Sequence, residues 1–290
     1  MRSDVGRLLA VYPFLRRTVI GKSVLGREIP VLWWGRGDCR VLLCGAHHGN
    51  EWITSLLLMR FAERLCADYQ SGTREALQLY ESACYAIVPM LNPDGVSLSL
   101  HGLTQDVSAE LRRDLIRAND GSEKFRGRWQ ANARGVDLNH NYDAAFERGR
   151  AYAARLGITE PGPTRFCGAH PESEPESAAL AQFTREYLPA VSVAYHSQGE
   201  VIYADFEGRA TRQALRIAEE MSRLTGYAAD KTHGVASCSG YKDWVIRELY
   251  LPAFTVEVGH GENPLPLAQF DEIWEKNIEM LLFLGKCRDF

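Results

Sequence analysis

The sequence of 290 residues predicts a single α/β domain with a mostly parallel or mixed sheet and helices on both of its faces. Helix and strand signals alternate from one end to the other, and no low-complexity linker, internal repeat or change of composition divides the chain. In addition, several histidines and acidic residues fall where predicted strands end. Sheets of this class carry their functional sites at strand ends.

Each predicted strand is a short apolar run that a polar or turn-forming segment ends. Residues 35–38 supply the turn between the first two strands. The N-P-D-G sequence at residues 92–95 is interpreted as a turn that closes the third strand, because proline fixes φ and glycine permits a positive φ. The predicted strands are residues 29–34, 40–46, 85–91, 191–195 and 253–258.

Three segments have the periodicity of helices. Residues 52–69 place apolar side chains three or four positions apart, which is typical of an amphipathic helix. Residues 174–187 and 270–284 are predicted as helices as well, the second of them closing the domain. By contrast, residues 119–141 are rich in glycine, arginine and asparagine without any period. A loop of that length in a compact domain is usually functional.

Composition excludes several classes of function. The chain is 46% hydrophobic and 24% charged, with a formal net charge of −4 and no block of like charges, so neither nucleic acid nor a membrane surface is an expected partner. No apolar run reaches the roughly 18 residues of a membrane span, and the N-terminus does not resemble a signal peptide. Seven cysteines without a C-x-x-C pair make a disulfide framework unexpected. They favour a cytoplasmic location.

A possible metal site begins at the H-x-x-E sequence formed by His48 and Glu51, where a predicted strand gives way to a helix. This spacing lets an imidazole nitrogen and a carboxylate converge on one ion. Zinc binds such donors at about 2.0–2.2 Å and keeps one position open in hydrolytic sites. His196 ends another predicted strand and can supply a third ligand. Glu257 lies among apolar residues of the last strand, where a lone carboxylate without a partner or a role would be costly.

Together with the G-V-D-L-N sequence at residues 135–139, these segments resemble the zinc carboxypeptidase family, the carboxypeptidase A-like metallopeptidases. The ordered set H-x-x-E, N-P-D-G, G-V-D-L-N, H-S and F-T-x-E extends from about residue 20 to the last helix. The resemblance implies an eight-stranded, twisted, largely parallel sheet. Because no linker or change of composition divides the sequence, one catalytic domain is expected over residues 1–290, without a separate pro-domain or wall-binding module.

The resemblance assigns roles to four residues. His48, Glu51 and His196 are the expected ligands of one zinc ion per chain, and Glu257 is the expected general base that activates the zinc-bound water. Asp137 is either an acceptor that orients a ligand histidine or a purely structural residue.

The chain departs from the family where carboxypeptidases bind the terminal carboxylate of the substrate. The family's arginine after the asparagine is replaced, so that Asn139 is followed by His140, which lacks the guanidinium fork. The family's mobile tyrosine aligns near Val235. Residues 195–203 and 240–244 instead resemble the bacterial γ-D-glutamyl-diaminopimelate peptidases. That branch implies a murein stem peptide as substrate, bound by Asn139, His140, Tyr203 and Lys242.

A donor for the oxyanion is also expected. Gln130 occupies the position of the family's arginine after a tryptophan, and Arg128 and Arg134 are nearby alternatives. Arg134 is favoured as the catalytic donor because a guanidinium stabilises negative charge more strongly.

The predicted function is zinc-dependent hydrolysis of an amide bond in murein-derived peptides, most specifically the γ-D-glutamyl-(meso-)diaminopimelate bond. The alternatives are a metallocarboxypeptidase or deglutamylase that acts on C-terminal residues, and a non-catalytic zinc- or peptide-binding homologue.

Overall fold

The computed structural model describes residues 2–230 and 238–286, and these contain one sheet of eight strands. The strands are β1 (Arg16–Lys22), β2 (Glu28–Gly35), β3 (Cys39–Gly45), β4 (Ala83–Val88), β5 (Val191–His196), β6 (Val201–Tyr203), β7 (Ala228–Asp230) and β8 (Ala253–Glu257).

The strands follow the order β1-β2-β4-β3-β5-β8-β6-β7 across the sheet. The four central strands, β4, β3, β5 and β8, run parallel to one another. Strands β1 and β2 join one side in antiparallel pairings, and β6 pairs antiparallel with β8 on the other side. The sheet is therefore mixed and mostly parallel at its centre, as the sequence predicts.

Helices cover both faces of this sheet. Along β3, Val41 and Leu43 belong to a hydrophobic core that includes α2, α8 and α10, whereas Leu42 and Cys44 belong to a second core that includes α7 and α9. This alternation follows from the two-residue period of a strand. The helices are α1 (Arg2–Val11), α2 (Ile53–Ser71), α3 (Arg74–Ser82), α4 (Pro93–His101), α5 (Ala109–Ala118), α6 (Phe146–Arg155), α7 (Pro175–Tyr187), α8 (Arg212–Thr225), α9 (Tyr241–Trp244) and α10 (Phe270–Leu284).

The N-P-D-G segment is not the turn that the sequence predicts, but the start of a helix. Asn92 is the N-cap of α4 and accepts a hydrogen bond from the backbone N–H of Gly95 at 2.8 Å, and Pro93 occupies the first helical position. Gly95 is needed for space, since a Cβ there would lie 2.4 Å from the carbonyl oxygen of Ala131.

Among the described cysteines, five are free thiols. Cys39 is disulfide-bonded, which the sequence does not predict. Within the described ranges, no helix combines the length and the apolar character needed to cross a membrane.

Helix α7 begins with a buried acidic residue that matters for stability. The side chain of Glu176 is fully buried and accepts hydrogen bonds from the backbone N–H of Val24 and from the carboxamide of Asn132. Burial outweighs these bonds and raises the pKa of Glu176 to about 7.

The buried Glu176 is expected to make the folded state less stable as pH rises. Between its unfolded pKa near 4.5 and its folded pKa near 7, the folded protein retains a proton that the unfolded chain has lost. The free energy of unfolding should fall by about 3 kcal/mol over this range because of Glu176. In urea titrations from pH 4.5 to 8, Glu176→Gln should remove that part of the slope, and Glu219→Gln, on the exposed face of α8, should not. Parallel pH profiles for wild type and Glu176→Gln would contradict this assignment.

Candidate metal centre

Three of the predicted residues lie together at the carboxyl ends of neighbouring parallel strands. His48 follows β3 by three residues, His196 is the last residue of β5, and Glu257 is the last residue of β8. His196 and Glu257 are directly paired in register. Two residues far apart in the sequence are therefore held at the spacing of adjacent strands, about 4.8 Å.

The chain turns sharply between β3 and His48. Ala46 adopts a left-handed conformation with φ of 50°, which is rare for a residue with a side chain. The hydroxyl of Thr54 accepts the Ala46 N–H at 2.8 Å, and the Ala46 carbonyl accepts the N–H of Asn92 at 3.1 Å. Gly49 then passes so close to α4 that a Cβ would lie 2.4 Å from the backbone of Gly95. The H-x-x-E segment is thus fixed by its backbone on both sides.

The three predicted ligands converge. His48 Nδ1 lies 2.8 Å from Glu51 Oε1, His196 Nδ1 lies 2.9 Å from Glu51 Oε2, and the two Nδ1 atoms are 3.3 Å apart. Among the described residues, His48, Glu51 and His196 form a group of side chains suited to hold a metal ion.

The separation of the two imidazole nitrogens fits a zinc ion. Tetrahedral bonds of 2.0–2.1 Å place neighbouring ligand atoms about 3.3 Å apart, which matches the separation of the two imidazole nitrogens. The donor set of two nitrogens and a carboxylate is also one that zinc prefers in hydrolytic sites.

Asp137 acts as an acceptor that orients His48. Its Oδ1 lies 3.0 Å from His48 Nε2 and also accepts the N–H of Asn139, and its Oδ2 accepts the N–H of Arg165 at 2.8 Å. A bond from Nε2–H to Asp137 leaves the Nδ1 lone pair of His48 facing Glu51, as metal binding requires. Of the two interpretations that the sequence leaves open for Asp137, this geometry favours the orienting one.

The electrostatics of the centre follow from burial and close charges. Burial alone would lower the pKa of His48, but the carboxylates of Glu51 and Asp137 raise it well above its usual range. Burial, and then the neighbouring charge of Glu51, raise the pKa of Glu257 well above that of a free carboxyl group. A metal cation bound beside Glu51 and Glu257 would favour the ionised forms of these two acids.

Two residues to which the sequence assigns no role complete the surroundings. The amide of Asn263 donates to Glu51 Oε1 at 3.4 Å and to the carbonyl of Ser197 at 2.5 Å. His47 is fully buried and stacks on His196 with ring centroids 5.2 Å apart. Burial, and then the two neighbouring histidines, lower the pKa of His47, so it is neutral. No sequence signal distinguishes Asn263 from other loop asparagines.

The predicted substrate-binding residues lie on different elements. Asn139 accepts the N–H of Tyr241 through its side-chain oxygen at 3.0 Å, which leaves its NH₂ group without a partner among the described residues. The Nδ1 atom of His140 is buried without a partner in the same ranges, and burial is the main cause that lowers the pKa of His140. Tyr203, on β6, is close enough to Glu257 for that charge to contribute, after burial, to its raised pKa.

The two predicted cations are already paired. Lys242 is 3% exposed, donates to the carbonyl of Asp205 at 2.6 Å and forms an ion pair with Asp243. Arg134 points to Glu174 at 3.6 Å and is half exposed. The structure does not bring Arg134 to the candidate ligands, so as an oxyanion donor it would have to leave Glu174.

The alternative oxyanion donors differ in position. Arg128 is exposed and pairs with Asp120. Gln130 is closer to the centre, since its side chain accepts a hydrogen bond from Thr164, whose hydroxyl lies 3.4 Å from Asp137. Val235, where the family's mobile tyrosine aligns, is outside the described residues.

Comparison with known proteins agrees with this geometry. The model of the zinc carboxypeptidase family, Peptidase_M14, matches residues 1–280. The chain belongs to the zinc carboxypeptidase family. It is 38% identical over 286 residues to gamma-D-glutamyl-L-diamino acid endopeptidase 1 of Lysinibacillus sphaericus, a match covering 97% of this chain and 70% of that protein.

Solved structures of zinc carboxypeptidases share the fold. Thrombin activatable fibrinolysis inhibitor superposes with a TM-score of 0.77 at 17% identity, over 100% of this chain and 73% of that one. Murein-tripeptide amidase MpaA from Escherichia coli O157 gives 0.57 at 22% identity, over 93% and 91%. As a member of this zinc-dependent family with a His–Glu–His site, the chain is a hydrolase of the metallopeptidase class.

Proposed function

We propose that this zinc carboxypeptidase family member hydrolyses the amide bond between γ-D-glutamate and a diamino acid, most specifically meso-diaminopimelate, in murein-derived peptides. The convergence of His48, Glu51 and His196 beside Glu257 carries the hydrolytic part of the proposal. The activity for which the Lysinibacillus relative is named supports the choice of bond. We also propose one zinc ion per chain, a single catalytic domain over residues 1–290 and a cytoplasmic location.

The residues of the centre divide the chemistry among them. A zinc ion in this site supplies a Lewis acid for the scissile carbonyl and lowers the pKa of a water molecule. Glu257 accepts a proton from the attacking water and delivers it to the leaving amine as the C–N bond breaks. Asp137 keeps His48 in the tautomer that leaves Nδ1 free. Of the oxyanion donors, Gln130 is now preferred to Arg134 because it lies beside Thr164 and Asp137.

The substrate side of the site is adapted to polar groups spread along the ligand. Asn139 offers an NH₂ group that has no partner within residues 2–230 and 238–286, and His140 offers a neutral imidazole in place of a guanidinium. The γ-linked glutamate carries a free α-carboxylate next to the scissile bond, and the diaminopimelate head carries an ammonium and a carboxylate. Lys242 is proposed to meet a carboxylate of this head, for which it would have to leave its buried ion pair with Asp243. Tyr203 is proposed to line the same region.

A substrate panel tests the proposal. The zinc-loaded protein should cleave L-Ala-γ-D-Glu-meso-diaminopimelate into the dipeptide and free diaminopimelate. The α-linked isomer of the same composition and a hippuryl-type C-terminal substrate should be cleaved at least about tenfold more slowly, since their polar groups lie elsewhere. Product masses and initial rates are the measurements.

Two other outcomes of the substrate panel would each support one of the alternative functions. Cleavage of the hippuryl substrate alone would replace the proposal by a carboxypeptidase or deglutamylase. Absence of cleavage of all three, with zinc bound, would favour a non-catalytic homologue.

A further inference from the structure

A buried asparagine outside the candidate metal site is fully engaged in hydrogen bonds. The Asn132 side chain has no exposed surface. Its NH₂ group donates to Glu174 Oε2 at 2.8 Å and to Glu176 Oε2 at 3.2 Å, and its oxygen accepts the N–H groups of Arg134 and Val136 at 2.9 and 3.1 Å. Both donors and both acceptor positions of the carboxamide are therefore used.

These bonds close a tight loop and attach it to a helix. The backbone N–H of Asn132 also donates to the carbonyl of Val136 at 2.9 Å, so hydrogen bonds to Asn132 close the loop of residues 132–136. Glu174 and Glu176 stand at the start of α7, which packs on the sheet. Asn132 thus links a loop that has no regular structure to a rigid element.

The same loop holds the H-x-x-E segment from two sides. Two residues before Asn132, the carbonyl of Gln130 accepts the N–H of Gly49 at 2.8 Å. Immediately after Val136, Asp137 binds the imidazole of His48. A shift of this loop would therefore move both the backbone and the imidazole of the first candidate ligand.

We propose that Asn132 is a positioning residue for the zinc site, acting through Asp137 on His48. The inference rests on the zinc site of the proposed function but not on its substrate. It concerns zinc affinity, which is measured without any peptide, so its failure and the failure of the substrate assignment are separable. Partners that orient a metal ligand typically contribute 10–100-fold to metal affinity.

The test removes the hydrogen-bond donor of Asn132 and then restores a bond of opposite direction. Asn132→Asp places a carboxylate against Glu174 and Glu176 and removes the NH₂ donor, so zinc affinity should fall at least about tenfold. In the double variant with Glu174→Gln, the new amide can donate to the introduced carboxylate, and most of the lost affinity should return. The zinc dissociation constant is measured by competition with a chromophoric chelator, together with the thermal midpoint of the zinc-free protein.

A matched control separates positioning from general stability. Asn119 is also fully buried, and its NH₂ group donates only within its own loop, to the carbonyls of Ser122 and Lys124. Asn119→Asp should lower the thermal midpoint without changing zinc affinity. If Asn132→Asp behaves as this control does, Asn132 is structural and the proposal fails.

The fold need not survive the single substitution for the test to decide. Should Asn132→Asp not fold, Asn132→Ser, which keeps one donor and one acceptor in a smaller side chain, is measured in its place. Its zinc affinity should again fall at least about tenfold. Wild-type affinity in a folded Asn132→Ser protein would overturn the proposal.

Discussion

Replacement of Glu257 by glutamine should lower kcat about 10²–10⁴-fold while zinc remains bound. Glutamine has nearly the same shape and keeps the register of β8 with β5, but its amide cannot accept the proton of the attacking water. Because Glu257 is not among the three converging ligands, metal content should not change. Steady-state kinetics on the γ-D-glutamyl substrate, with zinc content determined on the same sample, are the measurements.

A neighbouring carboxylate provides the control for Glu257. Glu200 precedes β6 and is paired with Lys276 and His260. Glu200→Gln removes a negative charge near the same end of β8, since Val201 pairs with Glu257, and should change kcat only slightly. A zinc-loaded Glu257→Gln protein that keeps a tenth or more of wild-type kcat would remove Glu257 from the role of base.

Replacement of His196 by alanine should lower zinc affinity by more than the roughly 10–100-fold that loss of an orienting partner costs, because a direct ligand is lost. Its Nδ1 is one of the three converging donor atoms, and β5 offers no other histidine. After dialysis against a chelator and return of stoichiometric zinc, the wild type should hold one ion per chain and His196→Ala close to none. Activity should fall in parallel.

The control for His196 is His101, at the exposed end of α4. His101→Ala should bind zinc as the wild type does. One zinc ion retained per chain in His196→Ala, at wild-type affinity, would mean that the ion sits elsewhere.

The sequence was sufficient to predict the fold class and the core strands because their apolar runs are continuous. Strands β3, β5 and β8 and helix α10 follow from such runs, and α10 has the predicted bounds of residues 270–284. Short edge strands are different. Strands β6 and β7 have three residues each, too few to show a period, and β7 is fully exposed. For β7, pairing with β6 rather than local preference makes the segment a strand.

The N-P-D-G segment shows why local signals can mislead. Asparagine and proline favour both a turn and a helix start, and residues 92–95 provide no means to choose. What decides is a distant contact, since Gly95 lies against the carbonyl of Ala131 and Asn92 binds the carbonyl of His47.

The candidate site likewise has a part that the sequence predicts and a part that it does not. The convergence of His48, Glu51 and His196 follows from ordered motifs at the ends of parallel strands. The pairing of Arg134 with Glu174 and of Lys242 with Asp243 does not, because each depends on which acid the fold brings near. Asn263 was missed for the same reason: its contact with Glu51 spans 212 positions of the chain.

The position of the catalytic strands within the sheet bears on how the protein fluctuates. Local unfolding starts at sheet edges, where backbone hydrogen bonds are most exposed to solvent. Here the edges are β1 and β7, while His196 and Glu257 end two strands that have neighbours on both sides. The outer strands can therefore open and close again without separating ligand from base. The reacting groups are therefore held by the interior of the sheet, and Asn139 and His140 lie beside them in the one-turn helix Leu138–His140, whose start is fixed by Asp137.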